Sequence, residues 1–115
     1  MTKVRIDPGI CGFITVAKAE MDTEAEPSLQ QMVKLHVMSG CPAIQDMMKE
    51  MGDTFDAYEI CFSKPGQGPL YTYAAGDKFP PHTGCPVFTG IIKCVEAECG
   101  LALKGDVDIR FMDEQ

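Results

Sequence analysis

The chain contains no Cys-x-x-Cys, which removes the strongest short signature of a zinc ribbon or a thioredoxin-like centre. It has no apolar run near the ~20 residues that span a bilayer, so no membrane span is expected. No basic-then-apolar leader opens it. Histidine is scarce, at two residues, and no Ser-His-Asp order stands out. The glycines lack the spacing and the lysine of a phosphate-binding P-loop. Positive charge is also short. Ten Lys and Arg face seventeen Asp and Glu, giving a net charge of −7. Nucleic acid and anionic membranes are therefore not expected as the main partners. With neither leader nor span, the expected location is the reducing cytoplasm. Six cysteines there are not expected to form a disulfide scaffold. They are core residues, metal ligands or redox centres.

What the chain does contain is one pattern written twice. Ser39-Gly40-Cys41-Pro42-Ala43-Ile44 runs into Met47-Met48, and Thr83-Gly84-Cys85-Pro86-Val87-Phe88 runs into Ile91-Ile92. Each reads hydroxyl, glycine, cysteine, proline, then apolar pairs at helical spacing. Proline is favoured at the first helical position, and the residue before it is pushed out of helical geometry. Each stretch is therefore read as a helix start with cysteine at the N-cap. The partial positive charge of a helix N-terminus is expected to lower the pKa of such a thiol. The segments between the copies do not match, so these are two similar helix starts and not a repeat protein.

The remaining elements follow from periodicity and breakers. Strands are predicted over Lys3–Ile6, Phe13–Glu20 and Gln30–Met38, with a polar turn from Asp22 to Ser28. Helices are predicted over Pro42–Met51 and Pro86–Cys99. Short helices are expected near Phe55–Cys61 and Leu70–Lys78. A last strand is predicted over Asp106–Met112, with Val107, Ile109 and Phe111 facing in. This gives a single α+β domain over residues 1–115. Helices cover one face of a mainly antiparallel sheet of about four strands.

Placing Ile14 and Val16 on one face with Val33, Leu35 and Val37 suggests pairing Ile14 with Val37 and Val16 with Leu35. That register sets Cys11 opposite Gly40 and so beside Cys41. The other face would then carry Phe13, Thr15, Ala17, Met32, Lys34, His36 and Met38, apolar enough to suggest a homodimer.

The sharpest candidate site is Cys11, Cys41 and Cys85, if the long helix starts at the same sheet end as the first. Three thiolates suit zinc, an iron–sulfur centre or copper(I). His82, three residues before Cys85, is the natural fourth ligand or an acid/base partner. Cys61 is a further candidate ligand. Cys99 shares a face with Phe88, Ile92 and Val95 and reads as core. The methionines read as gap-fillers, with Met47, Met48 and Met51 at helical spacing. Two other readings stay open: a thiol-dependent enzyme with Cys85 as nucleophile and His82 as base, and a dimeric interaction module whose thiols are inert.

Gly9-Ile10-Cys11-Gly12-Phe13, Ser39-Gly40-Cys41-Pro42, His82-Thr83-Gly84-Cys85-Pro86-Val87 and the run from Val95 to Leu103 together resemble a small prokaryotic family of unknown function, prominent in archaea and anaerobic bacteria. The likeness covers most of the chain and implies a fold and a compartment but no activity. Thr83-Gly84-Cys85-Pro86-Val87 is also similar to the Thr-Ser-Cys-Pro-Asp signature of the TSCPD domain, with glycine for serine and valine for aspartate. That resemblance spans about Ser39 to Ala97 and implies cysteine-based metal binding.

Overall fold

The register between two central strands sets the architecture. The computed structural model describes residues 1–22 and 31–113. Strand β1 (Thr2–Ile6) pairs with β2 (Thr15–Met21), and β2 pairs with β3 (Met32–Ser39). Short β4 (Thr54–Asp56) pairs with β3, and all three pairings are antiparallel. The helices are α1 (Pro42–Met51), α2 (Ala57–Cys61), α3 (Pro69–Ala74) and α4 (Val87–Glu98). The fold is α+β, as the sequence predicts. The expected turn from Asp22 to Ser28 lies, from residue 23 on, outside the described residues.

The register differs from the expected one by three residues. Ala17 faces Val37 and Ala19 faces Leu35. An odd slip inverts a strand's faces. Thr15, Ala17 and Ala19 are therefore fully buried, and Val16, Lys18 and Glu20 turn outward. The reason is steric and electrostatic. The expected register would have sent Lys18 and Glu20 inward with Val16. The small odd residues instead leave room for the bulky face of α4, where Phe88, Ile91 and Val95 are buried. The same preference for close approach shows at Gly90, where a Cβ would collide with the Ile6 side chain.

The outer face is consequently more charged than expected. Lys3, Arg5, Lys34, His36 and Met38 lie exposed, with Lys18 half-buried, whereas Thr15 and Ala17 belong to the core. His36 stands opposite Lys18.

Two further elements depart from expectation. Phe55 sits in β4 and the helix follows it, because Asp56 caps α2 by accepting from the Tyr58 N–H at 2.9 Å. Among the described residues, 106–112 pair with no strand, and Val107, Ile109 and Phe111 are exposed instead of facing in.

The direction of α4 is fixed at both ends. Its first turns lie against Ile6, as the Gly90 contact shows. At its last residue, the Glu98 carboxylate accepts from the Thr2 hydroxyl at 2.9 Å and the Met21 N–H at 3.1 Å, and pairs with the Met1 ammonium at 3.3 Å. So α4 runs antiparallel to β1, with its N-terminus at the end where β1 stops, β2 starts and β3 stops. Burial alone would raise the Glu98 pKa, but those donors outweigh it and hold it below the ordinary 4.5.

A folded-state pKa below the unfolded one adds stability above the unfolded value, and that stability is lost as pH falls through the folded value. Glu98→Gln should therefore cost about 2 kcal/mol at neutral pH, the worth of hydrogen bonds to a charged group. The gap to wild type should close as pH drops below 4.5. Urea melts of both proteins across pH test this. A gap unchanged at acid pH would contradict it.

Candidate functional site

The end of the sheet where α1 and α4 begin is built around two hydroxyls. Thr15 Oγ1 and Ser39 Oγ lie 2.7 Å apart across the β2–β3 pair. The Cys41 N–H donates to Ser39 Oγ at 3.1 Å, and Thr15 Oγ1 donates to the Phe13 carbonyl at 3.4 Å. The assignment that satisfies all of these has Ser39 donating to Thr15. One chain of hydrogen bonds then runs from the Cys41 backbone to Phe13, two residues after Cys11. Gln45 tightens the same corner by donating from Nε2 to the Ser39 carbonyl at 2.6 Å.

Cys41 is the N-cap of α1, with extended backbone (φ −81°, ψ 119°) and Pro42 at the first helical position, as predicted. Its side chain makes no capping hydrogen bond. Cys11 is exposed and lies in the β1–β2 loop. Gly9 and Gly12 flank it with φ of 91° and 71°, a region only glycine enters without strain. The Gly12 N–H donates to the Gly9 carbonyl at 3.0 Å. The loop meets the β3–α1 corner at Gly40, which is opposite Ile14 and not Cys11, and whose N–H donates to the Ile14 carbonyl at 3.3 Å.

Cys85 comes from the far end of the sequence. Pro86, in helical geometry, is the cap residue of α4, so the helix begins one residue later than expected. Aromatic packing fixes its approach. Phe88 stacks on Tyr71 at 5.2 Å between centroids and takes Phe79 edge-on at 5.4 Å. These contacts pin the segment leading into Cys85 against the first turn of α4.

The segments that carry Cys11, Cys41 and Cys85 lie at this end of the sheet. Burial raises the Cys85 pKa, the Val87 N–H pulls it down, and the thiols of Cys41 and Cys11 push it up again. The net shift is upward, whereas a helix N-terminus alone was expected to lower it. Desolvation outweighs the helix here. Among the described residues, no group of three or more His, Cys, Asp and Glu side chains is arranged to hold a metal ion as it stands. His82 is exposed. The Cys85 N–H donates to the His82 carbonyl at 3.5 Å, which ties the two residues through their backbones.

The other three cysteines lie elsewhere. Cys94, fully buried on α4, directs its thiol to the carbonyls of Thr2 at 3.3 Å and Ala17 at 3.5 Å. Cys61 does not join the Cys11 group. Burial, with Glu96 and Cys99 beside it, pushes its thiol up to about 12. Local periodicity carries no signal for this neighbourhood of Cys61 and Cys99, because α2 reaches α4 only through tertiary packing.

These environments predict an order of alkylation at neutral pH. Exposed Cys11 should react first. Cys61, held protonated, and Cys94, 0% exposed, should react only as the chain opens. A time course with iodoacetamide and peptide mapping reads this order, and early labelling of Cys61 or Cys94 would contradict it.

Neither the curated proteins nor the solved structures gave a match to this chain. A family model matches residues 2–111, almost the whole length, and the chain belongs to that family, the family of unknown function DUF6951.

Proposed function

We propose that the protein holds a soft metal ion or an iron–sulfur centre at the thiol end of its sheet. Cys11, Cys41 and Cys85 would be the ligands, with His82 as a fourth donor. The observation that carries this reading is that the β1–β2 loop with Cys11, the N-cap of α1 with Cys41 and the residue before the α4 cap, Cys85, lie at one end of the sheet, although they come from three separate segments. Three thiolates in one another's field repel, and a cation relieves that repulsion. The donor set fits zinc, an iron–sulfur centre or copper(I). Cys11 sits on an exposed, glycine-flanked loop that can close over an ion bound by the other two. The likeness of Thr83-Gly84-Cys85-Pro86-Val87 to the TSCPD signature supports the same chemistry. The centre would be a binding site, and no reaction is assigned to it.

We also propose that the chain works as a homodimer in the cytoplasm. Supporting the dimer is the row of exposed apolar side chains after α4, Leu103, Val107, Ile109, Phe111 and Met112, which the chain's own core does not cover.

The test of the metal site is elemental and acid-labile sulfide analysis of protein purified without oxygen or chelators, beside a Cys41→Ser/Cys85→Ser variant. Stoichiometric zinc or iron in the wild type, absent from the variant, is the expected result. No metal in either protein would overturn the reading.

A further inference from the structure

Residues 106–112 read Asp-Val-Asp-Ile-Arg-Phe-Met, and the alternation of apolar and polar side chains has the period of a β-strand. Yet among the described residues the segment pairs with no strand. Ile109 is 83% exposed and Phe111 is fully exposed. A local side-chain tie lies within it, from Arg110 Nε to Asp108 Oδ2 at 2.5 Å. The chain thus carries a strand without a sheet. It also carries a sheet edge without a strand. β1 is the first strand of the order β1-β2-β3-β4, and among the described residues nothing pairs with its second edge. An unpaired edge is a template for another strand.

Edge and segment match in side chains. On β1, Thr2 and Ile6 are buried toward the core and Val4 is half-buried beside them, whereas Lys3 and Arg5 point to the exposed face. If Val107 is set beside Val4, the faces align in either strand direction. Asp106 and Asp108 then fall beside Lys3 and Arg5, and the apolar residues fall on the core side. Parallel addition also sets Ile109 beside Ile6. We infer that residues 106–112 form an exchanged arm that adds a strand to the β1 edge of a second copy of this chain, and that the second copy returns the same contact. The occupant is a second copy because one chain supplies both the strand and a charge-matched edge, so two chains satisfy each other under two-fold symmetry. The inference rests on the homodimer reading above and is independent of the thiol site.

The test uses two full-length variants, Lys3→Glu/Arg5→Glu and Asp106→Lys/Asp108→Lys, with mass read by sedimentation equilibrium. Wild type should weigh twice its chain mass of 12.6 kDa. Each variant alone sets like charges together and should be monomeric. Mixed in equal amounts they should return to the dimer mass, because the reversed arm meets the reversed edge and the native arm meets the native edge. A third full-length variant, Ile109→Ser/Phe111→Ser, should be monomeric with its circular dichroism unchanged. A monomeric wild type would overturn both the dimer and the arm. Variants that stay dimeric would overturn the arm and leave the dimer. Variants that turn monomeric but are not restored by mixing would overturn the exchange, since an arm docked on its own chain gains nothing from a partner.

Discussion

The arrangement depends on a pair of hydroxyls. Thr15 is fully buried, and its link to Ser39 at 2.7 Å crosses the β2–β3 pair at the end where two helices begin. A buried hydroxyl without a partner is costly, so the pair favours the register that joins them. That register turns Ala17 and Ala19 inward and lets α4 lie close to the sheet. It also ties the Cys41 backbone to the loop that carries Cys11, through Phe13. Core packing and the thiol end are therefore consequences of one local contact.

The opposite end is held differently. There the Glu98 carboxylate gathers donors from Thr2, Met21 and Met1, so a charged cluster fixes the last turn of α4 across the starts and ends of two strands. With its C-terminus latched, α4 delivers its N-terminus to the Cys41 corner. The segment before α4, with Cys85, is carried to that end because a 12-residue helix spans about 18 Å, close to the length of the strands beneath it.

Much of this was legible in the residues. The Cys-Pro starts announced α1 and α4 to within one residue, because proline and apolar spacing act locally. The alternation of Val33, Leu35 and Val37 announced β3 and its inner face. The face of β2 was not legible. Ile14 and Val16 looked like core beside two alanines, and only the bulk of α4 reverses the choice. Lys18 and Glu20, which share their face, were the available clue. The thiol pKa was misread for a similar reason. Helix charge is local and visible in sequence, while burial of Cys85 belongs to the assembled core. The segment 106–112 shows a strand's alternation in sequence, but among the described residues it pairs with no strand.

Convergence of three thiols on one point is the central claim, and trivalent arsenic reads it directly, since As(OH)3 condenses with three thiols and releases three waters. With reduced full-length protein, the account predicts one arsenic bound per chain and loss of three titratable thiols. Peptide mapping should assign these to Cys11, Cys41 and Cys85, and Cys→Ser at any one of them should end tight binding. Absence of tight binding, or uptake that consumes Cys61 and Cys99 in their place, would contradict it.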